Sequence, residues 1–358
     1  MRATIWRSTL EFLLVCTLQP MACQRSADTP CDPAVPYAWQ ALETPLAPPA
    51  RFDQAMAADP TGKKIYLFGG RSEKGPLSDL WVLDLTTLRW EKKDSTGGPP
   101  PRSGHSLIKD PDQDRLILFG GYPEAPYGDV KFLNDLWTWT PQQGWSREFV
   151  ENTPPGRSWH GAGVQGQQMV IYGGYGDPPS YYLGDFWTLN LADLSFQKHP
   201  LERGPAMAGF NGILGLGAPS RWLLLTKEIR ARTTVARGWL LSEGSAQLTA
   251  VVLGNALRPL DFQSVTVNPW EQTALLLSKA IDRYDPSKSH PWGIAIFRAP
   301  ERNYCGLTLA DGPRFAQGMI CAPDPSRTSA WVCFGGVEKN RVQNGTWRLG
   351  PTSPRRSP

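Results

Sequence analysis

Ile65-Tyr66-Leu67-Phe68-Gly69-Gly70, then the loop Arg71 to Ser78, then Asp79-Leu80-Trp81, is the stretch that decides the fold. A short apolar run that stops at two glycines reads as a buried strand ending in a bend that needs permissive backbone. The pattern returns as Leu116-Ile117-Leu118-Phe119-Gly120-Gly121 with Asp135-Leu136-Trp137. It returns again as Met169-Val170-Ile171-Tyr172-Gly173-Gly174 with Asp185-Phe186-Trp187, and as Trp331-Val332-Cys333-Phe334-Gly335-Gly336 with Gly345-Thr346-Trp347. A recurrence at about fifty residues is the signature of a repeat architecture.

Working outward, each unit opens alike. Arg51-Phe52-Asp53-Gln54, Arg102-Ser103-Gly104-His105, Arg157-Ser158-Trp159-His160 and Arg314-Phe315-Ala316-Gln317 each precede a first strand, with proline just before them. Units close on an aromatic strand at Trp90, Trp145 and Phe196. Between residues 204 and 309 the Gly-Gly pair is missing, but Trp222-Leu223-Leu224-Leu225 and Ala274-Leu275-Leu276-Leu277 keep the apolar run. Trp239 and Trp292 keep phase with Trp81, Trp137, Trp187 and Trp347. Six phased tryptophans set six units.

The order Arg-x-x-His, apolar run, Gly-Gly, variable loop, Asp-Leu-Trp, later Trp resembles the kelch repeat. That resemblance implies an all-β, six-bladed β-propeller of the galactose-oxidase central-domain kind, with four antiparallel strands per blade around a channel. Unit six has no fourth strand after Trp347-Arg348-Leu349, whereas Ala38-Trp39-Gln40-Ala41-Leu42 stands orphaned upstream. The N-terminal strand is therefore expected to close the last blade. The expected organisation is a leader at 1–23, a linker at 24–37, the propeller at 38–349 and a tail at 350–358.

Bulk composition agrees with many short strands. Glycine and proline total 69 of 358 residues (35 and 34), and no long period-3.6 apolar segment follows the first 25. A net charge of +4 without a basic stripe gives no reason to expect nucleic acid. In the leader, Arg2 and Arg7 precede the apolar run Phe12 to Leu18, then Pro20 and Met21-Ala22-Cys23. That order reads as an export signal too short to span a bilayer, placing the protein in the periplasm, outside the cell or at the envelope. A disordered leader or a misassigned start is the alternative. Cys23 after Ala22 loosely resembles a bacterial lipobox, with Pro20 where that motif takes Leu, and a lipidated Cys23 would be the only membrane anchor. Cysteines at CxxC metal spacing are absent. Cys321 and Cys333 fall nearly opposite one another around the turn Pro323 to Ser329, a candidate disulfide in an oxidising compartment, with two buried thiols as the alternative.

Strand parity puts the loops between second and third strands on the same face as the links between units. Those loops carry Arg71, Tyr122, Tyr175, Tyr181, Tyr182, Arg230, Arg232, Arg283, Tyr284, His290 and Arg341. Tyrosine and arginine are common interface anchors, so this face is the candidate binding surface for a protein or peptide partner, and a monomer is expected. Arg51, Arg102, Arg157 and Arg314 recur near the inner rim. They read either as strand caps bonding loop carbonyls or as a guanidinium ring at the channel mouth holding an acidic guest. No cofactor, metal or catalytic set is expected, since no nucleophile elbow, phosphate loop or dinucleotide fingerprint occurs. Some exported kelch-type proteins resemble sugar oxidases or mutarotases. That alternative needs an acid/base pair, for which Glu228, Asp282 and Asp285 are available in loops.

Overall fold

The computed structural model describes residues 36–123, 131–201, 212–217, 221–230, 233–242, 247–251, 260–280, 293–298, 303–307, 318–338 and 341–352, with 245, 309 and 313. All regular elements among them are strands. Ala55–Asp59, Lys64–Phe68, Leu80–Asp84 and Arg89–Lys93 pair in chain order as an antiparallel meander. Ser106–Lys109, Leu116–Gly121, Leu133–Thr140 and Gly144–Glu148 do the same in unit two. Unit five pairs Leu260–Asn268, Thr273–Ala280, Gly293–Arg298 and Asn303–Leu307.

Units three and four are fused into one sheet. Gly161–Gln165, Gln168–Gly176, Tyr182–Asn190 and Phe196–His199 form one meander. Gly212–Gly215, Arg221–Arg230, Thr233–Ser242 and Thr249–Val251 form the next. Their inner strands meet at a single parallel bridge, Ala162 to Gly212. Small residues permit that approach: a β-carbon on Gly163 would lie 2.4 Å from the carbonyl oxygen of Ile213.

The last sheet is completed from the other end of the chain. Ile320–Pro323, Trp331–Phe334 and Thr346–Pro351 pair in order, and Tyr37–Ala41 adds the outer strand antiparallel to Thr346–Pro351. Trp39 stands opposite Leu349, and the backbone N–H of Thr352 donates to the carbonyl of Pro36 at 2.8 Å. The N-terminal strand thus closes the propeller, one residue earlier than the sequence placed its start.

The core lies between the sheets, and strand alternation explains it. Second strands are buried on both faces, so they read as unbroken apolar runs. Tyr66 and Phe68 face unit two and pack with Leu107, Leu118, Trp137 and Trp139, whereas Ile65 and Leu67 face the last sheet and pack with Val332 and Phe334. The same division continues through Ile171 and Tyr172, Leu224 and Leu225, and Leu276 and Leu277. Every phased tryptophan in the described residues holds one register: Trp81 opposes Leu67, Trp137 Leu118, Trp187 Ile171, Trp239 Leu224 and Trp347 Cys333.

One expectation is corrected here. The sequence places Arg230 and Arg232 in a variable loop between the second and third strands of unit four. Instead, Thr226 to Arg230 continue the second strand and pair residue by residue back to Arg237. Unit four lacks the Gly-Gly pair that follows the apolar run in units one, two, three and the last, and its ladder runs on as a long hairpin.

Candidate binding face and channel mouth

The repeat motif builds an internal clamp. Arg51 donates from Nη1 and Nη2 to the two carboxylate oxygens of Asp79 at 2.6 and 2.8 Å, from Nη1 to Gly69 O and from Nε to Pro49 O. Trp81 Nε1 donates to Asp79 Oδ2 at 2.6 Å. Arg102 repeats the arrangement with Asp135, Trp137, Gly120 and Pro100. Arg157 repeats it with Asp185, Trp187, Gly173 and Pro155. Burial pushes each carboxyl up, but the bonded guanidinium and indole outweigh it, so Asp79, Asp135 and Asp185 all lie below the usual carboxylate value.

These arginines are therefore not a ring open to a guest. Arg51, Arg102 and Arg157 are 0% exposed, and each makes four hydrogen bonds inside its own unit. Their carbonyls serve the neighbouring units. Gly70 N–H donates to Arg102 O and Gly336 N–H to Arg51 O, both at 2.9 Å. The glycine pair is required there: Gly69 and Gly335 have φ of 63° and 73°, and a β-carbon on either would strike those same carbonyl oxygens at 2.8 and 2.3 Å.

A second ring, unseen in the sequence, lines the throat. Asp53, Gly104 and Trp159 occupy the same motif position in units one, two and three, all with left-handed backbone (φ 54°, 63° and 49°). Gly104 N–H donates to Asp53 O at 3.2 Å, Trp159 N–H to Gly104 O at 2.7 Å, and Asp53 N–H to Gly318 O at 3.1 Å. Backbone hydrogen bonds link these positions, and Asp53, Gly104 and Trp159 all border the central cavity. That cavity measures about 650 Å³ and is walled by the inner strands, including Ala55, Ala57, Gly163, Gly212, Val265 and Ala322.

Polar groups gather at its mouth. Burial pushes the Asp53 carboxyl up to about 6, against the pull of Arg71. His105 and His160 also line the cavity. Burial first, and then the nearby Arg102 and Arg157 respectively, hold both imidazoles below the ordinary histidine value, His160 at about 3. His160 Nε2 lies 3.0 Å from Ser106 Oγ, and His105 stands edge-on to Phe68.

An aromatic strip runs outward from the mouth. Trp159 stacks on Tyr122 (centroids 6.3 Å apart) and meets Tyr175 edge-on at 5.8 Å; Tyr122 packs on Phe132 at 5.5 Å, and Tyr175 on Tyr182 at 5.1 Å. Tyr181 and Tyr182 are more than half exposed. Burial, and then the hydrogen bond with Tyr182, push the Tyr175 hydroxyl above its ordinary value. Of the residues chosen from sequence, the structure thus brings Tyr122, Tyr175 and Tyr182 together, with Tyr181 beside them in the chain. Arg71 stands in unit one, over the Phe52 ring at 5.9 Å, and Arg341 is exposed on a separate two-stranded hairpin, Val337–Glu338 with Arg341–Val342. Arg230 and Glu228 lie on the long hairpin of unit four. Arg232, Arg283, Tyr284, His290, Arg314, Asp282, Asp285 and Cys23 lie outside the described residues. Sequence reading missed Trp159 and Asp53 as site residues. The signal was there: an indole and a carboxylate stand at a motif position that unit two fills with glycine.

Cys321 and Cys333 stand opposite in register and are joined as a disulfide, with Cα atoms 4.0 Å apart, at the cavity wall. Among the described residues, no group of three His, Cys, Asp or Glu side chains is placed to hold a metal ion.

Residues 35–211 match the model of the KLHDC2/KLHL20/DRC7 Kelch-repeats domain. Acyl-CoA-binding domain-containing protein 5 of Arabidopsis thaliana is 35% identical over 140 residues, 38% of this chain and 20% of that protein. Leucine-zipper-like transcriptional regulator 1 homolog of Drosophila melanogaster is 34% identical over 132 residues, 36% of this chain and 13% of that protein. Adagio protein 3 of Arabidopsis thaliana is 30% identical over 183 residues, 49% of this chain and 28% of that protein. The matched part of this chain thus spans less than a third of each of these relatives. The solved structure of YjhT superposes with a TM-score of 0.60 over 85% of this chain and 95% of that one, at 13% identity, a likeness of fold.

Proposed function

Since the chain is a kelch-repeat β-propeller, we propose that it works as a six-bladed scaffold that binds a protein or peptide through the loop face of its units. The aromatic strip carries this reading. Phe132, Tyr122, Trp159, Tyr175 and Tyr182 form one continuous apolar path from solvent to the channel mouth. Rigid aromatics with polar tips supply contact area at low entropic cost, which suits interfaces. The test is capture of partners by the intact protein against Tyr182→Ala. Loss of a reproducible partner supports the scaffold, and an unchanged partner set overturns it.

A sugar-active propeller is the second reading, favoured by the raised Asp53 carboxyl above a cavity of about 650 Å³. Turnover of free sugars that stops in Asp53→Asn would establish it over the scaffold.

We also propose that the protein is exported, with residues 1–23 as its leader and Cys23 as the lipidated residue if an anchor forms. The Cys321–Cys333 disulfide supports this, because such bonds persist in oxidising compartments. Mass spectrometry of the mature protein reads both points: an intact Met1 overturns export, and an unmodified Cys23 overturns the anchor.

A further inference from the structure

We infer that the channel mouth is an arginine-side-chain receptor, in which the Asp53 carboxylate and the Trp159 indole together take a guanidinium from the bound partner. The inference rests on the loop face being a binding surface, and it names the chemistry of the residue that enters.

Three observations converge. The first is shape. Asp53 and Trp159 are separated by one residue position in the throat ring, and that position is Gly104. A β-carbon there would lie 3.1 Å from the indole ring carbons, so only glycine lets the indole lie against that position, one step from Asp53. The second is the acceptor. Among the described residues no donor bonds the Asp53 carboxylate, and the charged group facing it, Arg71 from the loop of its own unit, does not offset the cost of burial. A carboxylate held this way is stabilised by any guest that brings N–H donors and positive charge. The third is the face. Trp159 is the member of the aromatic strip that borders the cavity, between Tyr122 and Tyr175, and an indole attracts a cation. Guanidinium fits this pair better than ammonium, because it is planar, stacks on aromatic rings and meets a carboxylate with two parallel bonds. The protein uses this chemistry internally three times, where Arg51, Arg102 and Arg157 each hold a carboxylate with both terminal nitrogens beside a tryptophan.

The probe is the blocked peptide Ac-Gly-Arg-Gly-NH2, with its citrulline and lysine counterparts, followed by saturation-transfer NMR and tryptophan fluorescence on the full chain. The expected result is binding of the arginine peptide, at least tenfold weaker binding of the citrulline peptide, and lysine between them. Asp53→Asn should weaken the arginine peptide at least tenfold and leave the citrulline peptide unchanged. Binding should also fall about tenfold between pH 7.5 and 5, as the Asp53 carboxyl, raised to about 6, takes up a proton. Trp159→Gly, which suits the left-handed backbone, tests the indole, and circular dichroism of both variants checks the fold. Equal binding of arginine and citrulline peptides, or full binding by a folded Asp53→Asn, overturns the inference. If Asp53→Asn keeps its partners while Tyr182→Ala loses them, the receptor fails and the scaffold stands. If Tyr182→Ala keeps its partners but the arginine peptide still needs Asp53, the scaffold reading fails and the receptor stands.

Discussion

Asp53 is a carboxylate stationed where a neighbouring unit needs only glycine. Its raised pKa means that the folded chain holds a proton more tightly than the unfolded chain does, so ionising it costs stability as pH rises from about 4 to 6. Asp53→Asn should therefore stabilise the protein at pH 7.5 by on the order of 2 kcal/mol, and the gain should vanish below about pH 4, where both states are protonated. Urea unfolding at the two pH values checks this; an equal effect at both removes the desolvation argument. His105 and His160 act in the opposite sense. Both are held neutral, so the unfolded chain takes up protons that the folded one refuses once pH drops below about 6.5. Two histidines outweigh one aspartate. The melting temperature should fall between pH 6 and 4, and Asp53→Asn should steepen that fall; a flat profile contradicts it. At this scale the sequence was only partly legible. Arg51, Arg102 and Arg157 were visible as repeated residues, but their recurrence alone left two roles open. Burial and a bidentate carboxylate decide between them.

Among elements, the Arg–Asp–Trp clamp explains why the spacing persists while the loops inside it change. The arginine opens a unit, and the tryptophan lies in its third strand with the aspartate two residues before it. The clamp thus fixes the first and third strands whatever lies between. Asp185→Asn keeps the shape but leaves a fully buried guanidinium without its counter-charge, and should cost about 3 kcal/mol in urea unfolding. A loss under about 0.5 kcal/mol would show that the pair does not hold the unit. Strand identity was legible because buried second strands read as apolar runs ending at glycine. The hairpin Arg221–Arg230 with Thr233–Ser242 was not. Where the glycine bend is missing, nothing in the composition of Thr226 to Arg237 separates an extended ladder from a loop.

For the whole molecule, stability is shared among cores that each belong to two units. The cluster of Leu42, Ile65, Leu67, Trp90, Val332 and Phe334 joins the first sheet to the last. The cluster holding Trp331, Cys321 and Cys333 has Tyr37 and Trp39 packed against it. Removing residues 36–44 strips a strand edge and Trp39 together, and should cost several kcal/mol with a lower melting temperature. An unchanged melting temperature would mean that the closing strand is ornamental. The closing strand has one more consequence, which concerns time rather than energy. Among the described strands Tyr37–Ala41 leaves the ribosome before all the others, and its partner Thr346–Pro351 follows about three hundred residues later. Earlier sheets can form as they emerge, each on its own local hairpins. The closing strand must wait, unpaired, until its partner has been made, so the circle is sealed only after every sheet between the two has emerged.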